Sequence, residues 1–258
     1  MNPTQEMIDM LRDAWTVMVK RLPGSSIQSQ DGLATIFANV PLPFFNVSLY
    51  EKPISDPAHL DQILRSAVKA GANCPHPWIH ILCEGSAPEG WLEVAQLNSL
   101  ASIMTLTGMA TNQLLPSTRA LPNLEWKLVN DSQTAHDLAV LNAHAYHMPE
   151  ELFDCIDNLH IWQADTVGVV GYLDGKPVTA AAALPVNQTM YLALVASQAD
   201  HRGKGYAEAC IREVFAKAQT LMGYQRMTLH ASDAGKPLYA AMGFAPITTF
   251  ALLMPQAA

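Results

Sequence analysis

Apolar positions along the chain fall into short runs and helical stripes, and the clearest of them adjoin between Met190 and Ala218. The run Met190-Tyr-Leu-Ala-Leu-Val-Ala196 predicts a strand, Ser197 to His201 a polar turn, and Arg202-Gly203-Lys204-Gly205-Tyr206-Ala207 a glycine-rich entry to a helix. In that helix Ala207, Cys210, Ile211, Val214, Phe215 and Ala218 recur at i, i+3, i+4, i+7, i+8 and i+11, one stripe on one face. Upstream, Met1 to Leu22 is amphipathic, and Leu33 to Val40 and Phe44 to Tyr50 predict strands joined around Pro41-Leu-Pro43. Ser55-Asp56-Pro57 has the cap and first-turn proline of a helix start, followed by Leu60, Ile63, Leu64, Ala67 and Val68 at helical spacing and a stop at Gly71. A strand from Trp78 to Cys83, a short helix from Pro88 to Leu97 and a strand from Ser102 to Thr107 complete the first half. Thr111 to Pro122, with prolines at 116 and 122, reads as a linker, dividing the chain into domains at 1–122 and 123–258.

The second half opens with a strand from Glu125 to Val129, a cap at Asp131 or Ser132, and two helical segments interrupted near Met148-Pro149. Strands at Thr166 to Leu173 and Val178 to Leu184 flank a hairpin turn at Asp174-Gly175. Beyond the long helix come a strand from Arg226 to Ala231, a short helix from Pro237 to Met242 closed by Gly243, and a last strand pair from Ile247 to Met254. Strands and helices interleave throughout, so the fold class is α/β (α+β).

Composition narrows the partners. An apolar fraction of 50% with 15% charged residues supplies a large core, and a net charge of −8 disfavours nucleic acid and anionic membrane, which are held chiefly by Lys and Arg. No run reaches the roughly 18 apolar residues of a membrane span, and Glu6, Asp9 and Asp13 are unlike a signal peptide. A soluble, cytoplasmic protein is expected, with oligomerisation left open. The four cysteines form no C-x-x-C pair and read as reduced thiols. Cys74, His76, His80 and Cys83 are metal-ligand types, but alternation on a strand points His80 and Cys83 to opposite faces, so no metal is expected. His144 and His147 lie near each other on a helix beside Glu150 and Glu151 without the H-E-x-x-H spacing of a zinc helix, which suits a surface or acceptor-pocket role.

The turn at 202–207 suits a phosphorylated ligand. First-turn N–H groups lack intrahelical acceptors and carry the positive end of the helix dipole, Gly203 and Gly205 permit positive φ, and Arg202 and Lys204 add charge. Neither the dinucleotide G-x-G-x-x-G nor the P-loop pattern is present here.

The run Arg202-Gly203-Lys204-Gly205-Tyr206-Ala207 resembles the [Q/R]-x-x-G-x-[G/A] pyrophosphate motif of the GNAT N-acetyltransferase superfamily, and Leu238-Tyr239-Ala-Ala-Met-Gly243-Phe244 resembles that family's L-Y-x-x-x-G-F signature. The resemblance covers about Leu124 to Pro255. It implies a mixed, mostly antiparallel sheet flanked by helices, and transfer of an acetyl group from acetyl-CoA to a small amine or peptide acceptor by direct attack, without metal. It further implies that Val195, Ala196 and Ser197 pair with the pantetheine arm, that Arg202 to Ala207 hold the pyrophosphate, and that Tyr239 protonates the departing thiolate. Ser232 and Gly235 stand where many relatives carry Asn and Ala; Ser232 still offers a hydrogen bond to the pantetheine region. No carboxylate lies on Met190 to Ser197, so the general base stays unassigned, with His230, a residue of the other half or water as alternatives.

The first half repeats the series helix, strand, short helix and strand, with Trp91-Leu92 about where Leu238-Tyr239 stands. It therefore resembles a degenerate GNAT copy from about Gly32 to Thr107, in tandem with the second and walling the acceptor pocket. Ser55-Asp56-Pro57 in place of the glycine turn removes an N–H and adds a carboxylate, so no CoA is expected there. Two other readings stay open, a catalytically silent acyl-CoA sensor on the same fold and a structural interaction protein.

Overall fold

The computed structural model describes residues 2–163 and 165–256. In chain order its elements are α1 (Pro3–Val19), β1 (Ser26–Gln30), β2 (Leu33–Phe37), β3 (Asn46–Tyr50), α2 (Pro57–Gly71), β4 (Ile79–Cys83), α3 (Trp91–Leu97) and β5 (Leu100–Thr111). They continue with β6 (Glu125–Leu128), α4 (Ser132–Tyr146), α5 (Asp154–Asp157), β7 (Val167–Leu173), β8 (Lys176–Val186) and β9 (Thr189–Ser197). The last four are α6 (Tyr206–Met222), β10 (Met227–Ser232), α7 (Lys236–Ala241) and β11 (Ala245–Pro255).

The chain forms two compact units, one of Met1–Met109, His230–Pro237 and Pro246–Ala258, the other of Ala110–Leu229 and Leu238–Ala245. Compactness thus groups the C-terminal strand with the N-terminal part of the chain, a division by packing rather than by sequence continuity.

In the first unit the strand order is β1-β2-β3-β4-β11-β5. β1, β2 and β3 form an antiparallel meander, and α2 carries the chain across to β4, parallel to β3 with Val47 opposite Ile79. The Asp56 side chain caps α2 by accepting the His59 N–H at 2.8 Å. Leu60, Ile63, Leu64 and Ala67 of α2 are buried in a cluster with Phe37, Trp78, Leu82, Leu100, Ala251 and Leu253. β11 pairs antiparallel with β4, with Phe250 opposite Cys83 and Leu253 opposite His80.

β11 corrects the expectation of a strand pair at Ile247 to Met254: it is one continuous strand of 11 residues. Between Ile247 and Met254 there is no glycine, proline, asparagine or aspartate to reverse the chain, and the β-branched and apolar residues there favour extension. β1 was not anticipated, because Ser-Ile-Gln-Ser-Gln carries a single apolar residue and gives no alternation.

The second unit has the order β10-β9-β8-β7-β6. β6 to β9 are antiparallel neighbours, and β10 returns parallel to β9 after α6, with Met227 opposite Met190. Val178 to Leu184 of β8 are all buried, so this strand is covered on both faces, and α4 and α6 both pack on it. The alanines at 180–183 leave room for both helices. The predicted stripe of α6 is buried at Cys210, Ile211, Val214, Phe215 and Ala218. β9, α6 and parallel β10, followed by α7, repeat the succession of β3, α2, parallel β4 and α3 in the first unit.

Candidate functional site

The site is built outward from an irregularity in β9. Ala180 of β8 opposes Ala196 and Ala182 opposes Ala193, so Leu194 and Val195 face Ala181 alone, a β-bulge, and Leu194 has φ of +53°. The fully buried Asn142 of α4 holds it: its Nδ2 donates to the Leu194 carbonyl at 3.2 Å and to the Leu138 carbonyl at 2.9 Å. Thr179 Oγ1 donates to the Ala196 carbonyl at 2.9 Å and lies 2.8 Å from Ser197 Oγ. The parallel ladder from β10 reaches Leu192 and stops there, immediately before the bulge. Val195 and Ser197 are half-buried and Ala196 is buried on the stretch that follows.

β9 runs through a 3-10 turn at Ala199–His201 into the glycine turn. Gly203 and Gly205 have φ of +72° and +89°, conformations that favour glycine, and Gly205 is the N-cap of α6 without a side-chain cap. Arg202, Gly203 and Lys204 are exposed, Tyr206 and Ala207 half-buried, and the Tyr206 ring meets His201 edge-on at 4.8 Å. The start of α6 thus offers first-turn N–H groups next to two exposed cations.

Below the turn sits Glu208, 7% exposed, bonded by Arg212 at 2.8 Å, with Arg119 Nε at 3.7 Å. Burial pushes its carboxyl up, but hydrogen bonds from Arg212 and Ser117 and the charges of Arg212 and Arg119 outweigh that. Its pKa therefore lies below the ordinary value, and it is ionised. The segment expected as a linker falls within the second unit, where residues 115–122 lie against α6 and its entry turn.

Tyr239 lies in α7, is 8% exposed, and meets Phe244 edge-on at 6.0 Å. Burial, and next to it Tyr146, raises its pKa above the ordinary phenol value, so it holds its proton at neutral pH. The fully buried Tyr191 of β9 is raised by burial and by Tyr146 and Tyr239, which puts three phenols in one neighbourhood. Tyr146 is an exposed residue whose ring stacks on Phe153 at 6.3 Å, and desolvation raises its hydroxyl.

Ser232 ends β10, and its Oγ accepts from the Gly235 N–H at 3.4 Å; it groups with the first unit. His230 packs edge-on against Phe250 at 4.8 Å, and desolvation lowers its pKa to about 3, which makes it a weak base. His144 pairs on the surface with Glu150 at 2.7 Å. His80 Nδ1 contacts Ser48 Oγ at 3.0 Å and Cys83 Sγ contacts Thr248 Oγ1 at 3.6 Å. Among the described residues no group of three or more His, Cys, Asp or Glu is placed to hold a metal, and no helix is long and apolar enough to cross a membrane. Asn142, Tyr146 and Tyr191 escaped the sequence reading; for Asn142 the available signal was an amide among Leu138, Ala139, Leu141 and Ala143.

The sheet is mixed and mostly antiparallel and is flanked by helices, the GNAT acyl-CoA N-acyltransferase fold. Residues 133–244 match the acetyltransferase (GNAT) family, and this part of the chain is a GNAT domain. Acetyltransfer from acetyl-CoA is what that family does. The whole chain shares the fold of a GCN5-related N-acetyltransferase from Kribbella flavida, at 18% identity and a TM-score of 0.73, covering 100% of this chain and 97% of that one. A conserved protein of unknown function from Staphylococcus epidermidis matches at 15% identity and a TM-score of 0.66, over 91% and 95%. A GCN5-related N-acetyltransferase-like protein from Streptococcus suis matches at 14% identity and a TM-score of 0.57, over 98% of each chain. These likenesses span both halves, so the architecture is a tandem one of the GNAT type. No curated protein matches the chain in sequence.

Proposed function

We propose that the chain is an acetyl-CoA-dependent N-acetyltransferase acting on a small amine or peptide acceptor in the cytoplasm. Residues 123–258 form the catalytic domain in sequence, and 1–122 form a degenerate GNAT-like domain. The observation that carries this is one uninterrupted stretch: β9, with its ladder to β10 ended at Leu192, leads directly into the uncapped amino end of α6. Val195, Ala196 and Ser197 hold the pantetheine arm by backbone pairing, and Arg202, Gly203, Lys204, Gly205, Tyr206 and Ala207 bind the pyrophosphate.

Holding donor and acceptor together supplies positioning, and a β9 backbone N–H polarises the thioester carbonyl. The neutral amine attacks that carbon, the C–N bond forms and the C–S bond breaks. Tyr239 gives its proton to the departing thiolate, and the proton shed by the amine restores the phenol. The products are an acetamide and the CoA thiol.

The test is release of CoA thiol from acetyl-CoA across a panel of amines, comparing the parent chain with Tyr239→Phe. Turnover is expected with at least one amine, and the variant should lose about a hundred-fold in kcat with CoA affinity nearly unchanged. A phenylalanine variant with parental kcat, where chemistry limits the rate, sinks the acid role. A folded parent chain that binds no CoA sinks the whole reading.

A further inference from the structure

We infer that Arg119, contributed by the segment Thr111 to Pro122, is a positioning residue that fixes the peptide plane of the phosphate turn. This rests on the proposed binding of CoA at residues 202–207.

The Arg119 guanidinium donates from Nη1 to the Gly203 carbonyl at 2.9 Å, across 84 residues of sequence. In a planar trans peptide the carbonyl and the next N–H point in opposite directions. Holding the Gly203 carbonyl therefore aims the Lys204 N–H away from Arg119. Among the described residues no side chain packs where a Cβ of the exposed Gly203 would lie, and glycines at φ of +72° and +89° flank Lys204. Such a turn can rotate its central peptides at little cost, and an anion site made of backbone N–H groups requires that they stay aimed.

Arg119 is itself held in place. Its carbonyl accepts from Ser117 Oγ at 2.9 Å and its Nε is 3.7 Å from the Glu208 carboxylate. The preceding residues are tied down where Leu115 N donates to the Met242 carbonyl at 2.9 Å and Arg212 donates to the Leu115 carbonyl at 2.6 Å. Leu121 and Pro122 then close against Gly205. The segment is a strap across the start of α6, and its one guanidinium lands on the turn.

The test compares the parent chain with Arg119→Met, which keeps the stem and removes the donors, and Arg119→Lys, which keeps one donating head. Affinity for CoA and for dephospho-CoA is measured by calorimetry at low and high salt. Arg119→Met should weaken both ligands by the same factor, about tenfold, at either salt, and Arg119→Lys should regain part of it. The thermal midpoint reports folding independently. Unchanged affinity in Arg119→Met overturns the inference. So does a loss confined to CoA, which would mean direct contact with the 3′-phosphate, or a loss that vanishes at high salt, which would mean a charge effect without a fixed peptide. A parent chain that binds neither ligand removes the functional reading instead, so the two failures are distinct.

Discussion

Substituting Gly205 tests whether an anion sits at the start of α6, provided backbone strain is separated from charge. With φ at +89°, any side chain here incurs about 1–2 kcal/mol of strain. A Cβ at Gly205 would meet Pro122 Cδ at 3.4 Å and Arg119 Nε at 3.6 Å, ordinary contacts, so alanine adds no clash. Against a typical stability of about 5–15 kcal/mol the domain stays folded. Gly205→Asp carries the same strain and adds a carboxylate. Two unit charges about 4 Å apart repel by about 1 kcal/mol in bulk water and about 4 kcal/mol at the dielectric near a protein surface. Solvent screens the more distant of the two pyrophosphate charges, so one repelling pair is counted. That repulsion predicts that the aspartate variant binds CoA between about five-fold and a thousand-fold more weakly than the alanine variant, with similar thermal midpoints. Comparing the two variants cancels the strain, and titration calorimetry with CoA reads the difference. Equal affinity in folded Ala and Asp variants would refute a pyrophosphate at this helix end.

Asn142→Leu removes the donor to the Leu194 carbonyl but also removes Asn142 Oδ1, which is buried without a partner. The net stability change should stay below about 1.5 kcal/mol while CoA affinity falls several-fold as the bulge loosens. A parental affinity would show that the bulge needs no clamp. His80, 0% exposed, has its pKa lowered by desolvation from 6.5 to about 4. The unfolded chain therefore binds more protons in between, so the contribution of neutral His80 is complete above about pH 6.5 and is lost as pH falls through 4. At pH 5 the loss is about 2 kcal/mol, from 1.5 units at 1.36 kcal/mol each. Denaturation of the parent and of His80→Gln at pH 7 and pH 5 should show a smaller fall in the variant; His230, lowered likewise, keeps the fall from vanishing. Equal falls would remove His80 from the account.

The parts of this protein legible in its sequence are those built from neighbours in the chain. The strand from Met190, the turn at Arg202 to Gly205 and the helix stripe to Ala218 are contiguous, so periodicity, glycine placement and helix-end chemistry were enough to locate them. The same holds for the cap at Asp56, for a helix start at Asp131 or Ser132, which the structure resolves to Asp131, and for the short helix bearing Tyr239. The continuity of the last strand was also legible, since Ile247 to Met254 lacks turn residues and is rich in β-branched and apolar side chains. Tertiary structure alone decided what depends on partners remote in sequence. The bulge at Leu194 is held by Asn142, 52 residues away, and the turn at Gly203 by Arg119, 84 residues away. Pattern reports which face of an element is apolar, whereas the partner of a lone amide or guanidinium is chosen by where chain reversals deliver it. That choice also sets β11 beside β4 and puts the phenols of Tyr146, Tyr191 and Tyr239 in one neighbourhood, because long-range packing sets register only once the separate faces have met.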